Sequence, residues 1–396
     1  MKKLISVCLV LAMLAGALVI ANGATAEKKL QFNKDGKFTI INLCDCQDGY
    51  PADQRMFTFI YKVIDTYHPD LVILGGDNTV GPQETKEQAV EELVKPFVET
   101  GTYFTMVFGN HDHQQGWSNY ELFDLYVRYG GEYFLGSNEL DPVDSRKAGT
   151  HWLPVYSSSD AEKVAYALYM FDSGNYVYDD KGEELGYGCV EPYQIEWYKG
   201  VRDSLKEETG AYVPSMAFQH IIVGDVYDYL YYKSPVDLGD LGRSFYGNYY
   251  TFVPKTQNFT GFLSEPPCPG YYNYGQLDAM AEKGDTKAIF SGHDHTNSFD
   301  VEIKGVHVIN TPSCTYNSYS DELNHGCRLI VLDEKTGGYE TEVVTINGFA
   351  LNDSAYAEKM QINTATASFY ETVGPALISL AKALSVFGTV LDLFVK

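Results

Sequence analysis

The chain has 396 residues, 45% of them hydrophobic and 21% charged, and a formal net charge of −24. That length and apolar content exclude a disordered chain and allow one large α/β domain or two ordinary ones. The acidity disfavours broad binding to nucleic acid, and its simplest physical meaning is solubility.

Residues 1–26 have the pattern of a signal peptide. Lys2 and Lys3 form a charged start, Leu4 to Ile20 is apolar, and Ala24-Thr25-Ala26 supplies small residues for cleavage. Removing the two lysines takes the charge of a mature chain starting at Glu27 from −24 to −26. Export to a periplasm, cell surface or medium is expected, with no stable membrane span left after cleavage. The competing reading, an uncleaved anchor, would sit near the lower length limit for a span. Six cysteines remain (Cys44, Cys46, Cys189, Cys268, Cys314 and Cys327), an even number that permits disulfides without fixing a pairing.

From Phe38 the chain alternates strands and helices. Phe38 to Cys44 reads as a strand, Asp53 to Tyr67 as a helix, and Leu71 to Leu74 as a short buried strand. Thr85 to Thr100 reads as a helix and Thr102 to Phe108 as the next strand. This β-α-β-α-β order predicts a layered α/β fold with right-handed crossovers. Further on, Glu121 to Tyr129 and Gln194 to Lys206 are predicted helices, and Val164 to Phe171 and Val213 to Phe218 predicted strands. Val226 to Tyr274 dissolves into Gly, Pro, Asp and Tyr, with ten of the 32 tyrosines. They read as loop packing or as an aromatic rim for a substrate, with Arg243 placed to meet a phosphate. Gln276 to Glu282 is a short helix and Lys287 to Phe290 a strand. Four strands follow as a meander, the last from Glu340 to Thr345. One catalytic domain over about 30–350 is expected. Residues 365–396 carry an amphipathic pattern that suits a docked helix and, with Lys382 and Asp392, suits a membrane span poorly.

Five polar clusters fall at the ends of predicted strands: Asp45-Cys46-Gln47, Gly76-Asp77-Asn78, Gly109-Asn110-His111-Asp112, His220, and Gly292-His293-Asp294-His295. Strand ends in α/β proteins are where chemistry collects. Side chains two apart on a strand share a face, so Asp45 with Gln47, and His293 with His295, would aim into one pocket, while Cys44 and Cys46 would point away. Carboxylate, amide and imidazole donors suit Mn, Fe or Zn rather than calcium. Two such ions would clamp phosphate oxygens and acidify a bridging water. His111 would donate a proton to the leaving oxygen while Asp112 holds its tautomer. His113 and His151 read as surface residues.

The ordered clusters resemble the calcineurin-like metallophosphoesterase superfamily over residues from about 38 to 333. The runs Gly292–Asn297 and Glu265–Gly270, with Pro266, Pro267 and Cys268, look most like the branch related to purple acid phosphatases. The resemblance implies a four-layer α/β/β/α sandwich of two mixed sheets with metals at the strand ends. It also implies Asp45, Gln47, Asp77 and His295 at a first metal, Asp77 as a bridge, Asn110, His220 and His293 at a second, and His111 as phosphate contact and proton donor. Two positions depart from that pattern. Gln47 stands where the family usually has His, which weakens the first site or shifts it to a harder metal. Val80 stands where purple acid phosphatases have a Tyr ligand, so no purple colour is expected. The expected activity is that of a secreted phosphomonoesterase on a small phosphorylated substrate. The alternatives are a phosphodiesterase and a non-catalytic, metal-stabilised binding protein.

Overall fold

The computed structural model describes residues 29–142 and 147–373. Two sheets stack face to face. The first has five strands in the order Gly338–Thr345, Gly326–Asp333, Lys37–Leu43, Leu71–Gly75, Phe104–Val107. Its last three strands run parallel and its first two antiparallel. The second sheet has seven strands, in the order Phe259–Thr260, Asp300–Ile303, Val306–Asn310, Thr286–Ser291, Ser215–Phe218, Asp160–Met170, His151–Ser157. The middle four are parallel and the flanking pairs antiparallel. Both sheets are therefore mixed, as expected.

Three apolar clusters divide the molecule into four layers. Phe38, Ile40, Leu71 and Ile73 from the first sheet meet Leu168, Met170, Phe218 and Phe290 from the second. With both faces covered, the parallel strands read as continuous apolar runs rather than alternating ones. The opposite face of the first sheet is covered by helices Gln54–Tyr67, Lys86–Thr100 and Asn119–Gly130 through Phe59, Ile60, Leu93, Phe97 and Tyr126. Helix Pro192–Thr209 covers the outer face of the second sheet through Ile195, Tyr198 and Leu205. Burying each of these side chains contributes about 1.5–3 kcal/mol. The architecture is the α/β/β/α sandwich.

Local signals set the helix bounds. The Asp53 side chain accepts a bond from Arg55 N, His68 ends that helix in the left-handed region, and Ser118 with Glu121 forms a capping box. Strand His151–Ser157 is not predicted from sequence. It lies at the edge of its sheet, where Pro154 is tolerated and removes the usual strand pattern. His151, expected at the surface, is 4% exposed. Its ring contacts Thr105 Oγ1 at 2.8 Å and the Gly149 carbonyl at 2.5 Å. The stretch from Val226 to Tyr274 is more ordered than expected. It forms helix Val226–Leu230 and a small sheet of Tyr231–Ser234, Gly242–Phe245 and Asn248–Pro254. Residues 364–373 are helical. The rest of the expected C-terminal helix and the whole of residues 1–26 lie outside the described residues. No described helix is long and apolar enough to cross a membrane. All six cysteines outside residues 1–26 are free thiols.

Candidate metal centre

Every predicted ligand cluster leaves the carboxyl end of a parallel strand, and the two sheets bring these ends together. Backbone bonds lock the loops to each other. Asp45 N donates to the Gly76 carbonyl at 3.0 Å, Gln47 N to the Asp77 carbonyl at 2.8 Å, and Gly292 N to the His220 carbonyl at 3.1 Å.

The side chains converge for a different reason than strand pleating. The first strand stops at Leu43, and Asp45 and Gln47 take φ of 51° and 42°. Asp77 and His293 do the same, at 49° and 72°. The left-handed region is tolerated better by Asp and His than by Gln, and strain of about 1–3 kcal/mol at such non-glycine positions collects at functional sites. Cys44 and Cys46 do point away. Cys46 Sγ lies 3.4 Å from Cys314 Sγ, both fully buried.

Three glycines let backbone pass against the ligands. A Cβ on Gly109 would sit 2.2 Å from Asp77 Oδ1, one on Gly76 2.5 Å from the His220 ring, and one on Gly292 2.7 Å from Asp45 Oδ2. These contacts explain why Gly precedes the ligand-bearing residues in three of the five clusters.

Each aspartate spends one oxygen on a backbone amide. Asp77 Oδ1 accepts from His111 N at 2.7 Å and Asp45 Oδ2 from His293 N at 3.1 Å. The other oxygens have no hydrogen bond, and neither do Gln47 Oε1, Asn110 Oδ1, His220 Nε2 and His293 Nε2, all buried. Buried polar atoms left without a partner cost about 1–3 kcal/mol each, and their clustering here suits a shared ligand. They crowd together: His220 Nε2 is 3.2 Å from Asp77 Oδ2 and 3.8 Å from Asp45 Oδ1, and His295 Nε2 is 3.4 Å from Asp45 Oδ1. Among the described residues, two buried triads offer ligand atoms within 4.8 Å of one another: Asp77, His220 and His293, and Asp45, Asp77 and His295. Asp77 belongs to both. The donor set fits two transition-metal ions sharing one carboxylate.

The ring tautomers suit that use. His220 Nδ1 contacts the Gly75 carbonyl at 3.0 Å and His295 Nδ1 the Tyr319 carbonyl at 2.7 Å. Each Nδ1–H is thereby held and each Nε2 faces the carboxylates. Burial opposes charge on His220, but Asp77 and Asp45 overcome it and raise its pKa to about 10. His295 is raised to about 9 by Asp45 against the same burial. His293 is lowered to about 3 by burial and by the neighbouring His220. Burial raises Asp77, but His220 and His111 outweigh it and hold the carboxyl below its usual range. The two buried carboxylates thus favour positive charge in this cluster.

His111 stands at the mouth, its side chain 36% exposed and its Nε2 4.0 Å from Asp77 Oδ2. Asp112 does not hold its tautomer. The Asp112 carboxylate is fully buried and accepts from Asn78 N at 2.9 Å, Thr79 N at 3.0 Å and Gly109 N at 2.8 Å. It is a staple between two ligand loops, because three amides lie closer to it than the imidazole.

Several neighbours were not read from sequence. Asn110 Nδ2 donates to the Tyr176 hydroxyl at 3.0 Å, the Tyr187 ring stands edge-on to His293 at 4.3 Å, and Tyr319 stacks on His295 at 4.2 Å and 5°. These aromatic residues lie outside Val226–Tyr274. Within that stretch Tyr227, Tyr231 and Tyr250 are buried against one another. Arg243 has its Nη1 3.7 Å from Cys268 Sγ. Nothing in the sequence separates Tyr176, Tyr187 and Tyr319 from the other tyrosines. The Glu265–Gly270 segment does dock on the last ligand loop: Glu265 Oε1 accepts from Thr296 N at 2.9 Å, and Cys268 N donates to Asp294 Oδ1 at 3.0 Å.

Residues 38–297 match the family described as calcineurin-like phosphoesterase. The chain is similar to probable inactive purple acid phosphatase 14 of Arabidopsis thaliana, with 23% identity over 74% of each chain. It is similar to probable inactive purple acid phosphatase 29 of the same plant, with 25% identity over 78% of this chain and 80% of the relative. Among solved structures, a dimetal phosphatase from Danio rerio aligns over 77% of this chain and 98% of its own, with 11% identity and a TM-score of 0.45.

Proposed function

The chain belongs to the calcineurin-like phosphoesterase family, and from that premise we propose that it is an exported, two-metal phosphomonoesterase. The observation that carries this reading is the pair of buried triads sharing Asp77, in which Asp45 Oδ1, Asp77 Oδ2, His220 Nε2 and His293 Nε2 lack hydrogen-bond partners. Asp45, Gln47, Asp77 and His295 would hold one ion, and Asp77, Asn110, His220 and His293 the other. When bound, such a pair supplies Lewis acidity toward the phosphoryl oxygens and a water acidified for attack.

The chain's own residues do the rest. Asp45 and Asp77 place negative charge where cations must sit, and each is oriented by a backbone amide. The carbonyls of Gly75 and Tyr319 fix the His220 and His295 tautomers. Asp112 ties the Asp77 loop to the Asn110-His111 loop. His111 is the partly exposed imidazole beside Asp77 and would give a proton to the departing alkoxide oxygen. The substrate is a small phosphate ester, and export follows from the pattern of residues 1–26.

Gln47 and the names of the Arabidopsis relatives favour a second reading, a metal-stabilised binding protein with little turnover. The test uses mature protein stripped of metal and reloaded with Mn, Fe or Zn. Metal-dependent hydrolysis of p-nitrophenyl phosphate supports the phosphomonoesterase. Turnover of bis-p-nitrophenyl phosphate alone moves the assignment to a phosphodiesterase. Folded protein holding two metals with no turnover of either favours the binding protein.

A further inference from the structure

The strand Asp160–Met170 also ends at the metal centre, and its exit segment has no part in the ligand set. Ser173 Oγ accepts from Ile221 N at 3.0 Å, next to His220, and Asp172 Oδ2 accepts from Asn119 Nδ2 at 3.0 Å. The segment then turns into a hairpin, Tyr176–Tyr178 with Glu184–Tyr187, in which Tyr176 pairs with Tyr187. The Tyr176 ring packs on Tyr187 at 5.5 Å and on Tyr178 at 6.4 Å. Tyr176 is thus held from three sides, with its hydroxyl 3.0 Å from Asn110 Nδ2.

Asn110 is 1% exposed, and its Oδ1 has no hydrogen-bond partner. An amide coordinates a cation only through its oxygen, because its nitrogen has no lone pair to give. Turned the other way, the side chain would leave its NH₂ group as the end without a partner. In the structure the phenol oxygen accepts the N–H, which leaves Oδ1 as the unpartnered end of the amide.

We propose that Tyr176 is a positioning residue for the second metal: it fixes the Asn110 amide so that Oδ1, not Nδ2, meets the ion. This rests on the two-metal reading above. It also means that the second site depends on the hairpin at residues 176–187, whose Tyr187 ring also stands against His293.

The test is calorimetric titration of Mn²⁺ into metal-free full-length mature protein, comparing wild type with Tyr176→Phe, Asn110→Ala and the double variant. Tyr176→Phe keeps the ring packing and removes only the acceptor, and circular dichroism checks the fold. The expected result is two binding steps in the wild type. Tyr176→Phe weakens one of them about 10- to 100-fold and leaves the other unchanged. Asn110→Ala weakens the same step, and the double variant is no worse than Asn110→Ala alone. Wild-type affinity for both steps in Tyr176→Phe, or a double variant that loses the product of the two single losses, overturns this inference while the two-metal reading stands. Fewer than two ions in the wild type overturns both.

Discussion

Gly109→Ala tests the site by sterics alone, with no change of charge or of a donor atom. The added Cβ would lie 2.2 Å from Asp77 Oδ1 and 2.3 Å from the Asp77 backbone nitrogen. Ordinary contact begins near 3.4 Å. Asp77 or the Gly109 loop must therefore move by roughly 1.2 Å, and backbone cannot yield as a side-chain tip would. Overpacking of this kind costs about 1–3 kcal/mol, too little to unfold a domain of about 5–15 kcal/mol. A 1 Å misplacement of a reacting group costs about 10²-fold in rate. Because Asp77 belongs to both triads, both proposed metal sites would be disturbed at once. The assay is metal-dependent p-nitrophenyl phosphate turnover beside thermal melting. The control is Gly200→Ala, in helix Pro192–Thr209, where a Cβ meets nothing within 4 Å. Gly200→Ala should leave turnover unchanged and stabilise by about 0.5–1 kcal/mol. Gly109→Ala with wild-type turnover and two bound metals would refute the reasoning.

Asp77→Asn removes the shared charge and is expected to abolish turnover, with metal analysis showing loss of at least one ion. His111→Ala should slow turnover about 10²- to 10⁴-fold while both metals stay bound, since the ring lies at the mouth; unchanged kcat would remove it from the reaction. Asp112→Ala leaves three buried amides without an acceptor, at about 1–3 kcal/mol each. Relief of a carboxylate that burial and Asp77 push up to about 6 offsets part of that cost. Its melting temperature should fall, and its pH–rate profile should keep the wild-type shape. Burial lowers His151 from 6.5 to about 4, so the unfolded chain takes up a proton there that the folded chain refuses. Stability should therefore fall as pH drops from 6.5 to 4, by about 3 kcal/mol from this one group. Urea unfolding of His151→Gln should show a shallower slope across that window, and an identical slope would contradict the burial of His151.

The clusters that the fold brings together were legible because each joins a strand's apolar run to a glycine or a turn, and chemistry at parallel strand ends is a strong prior. Their convergence does not come from strand pleating. Pleat alternation would place Asp45 and Gln47 on one face, but both sit past the strand in the left-handed region, and the glycines at 76, 109 and 292 bring neighbouring backbone against the ligands. The same two-residue spacing results from a different backbone, so a spacing rule can succeed without its mechanism. Asp112 shows the opposite error. Adjacency to His111 in sequence suggested a pair, yet a carboxylate goes where the most donors are, and three amides from two loops lie within 3.0 Å. That competition is set by the approach of the Asp77 loop, which no local pattern encodes. Tyr176 was invisible for a related reason. Its role depends on one hydroxyl meeting one amide across 66 residues of chain, in a sequence with 32 tyrosines. Sequence pattern reports which donors a site owns; the groups that aim those donors are chosen by packing.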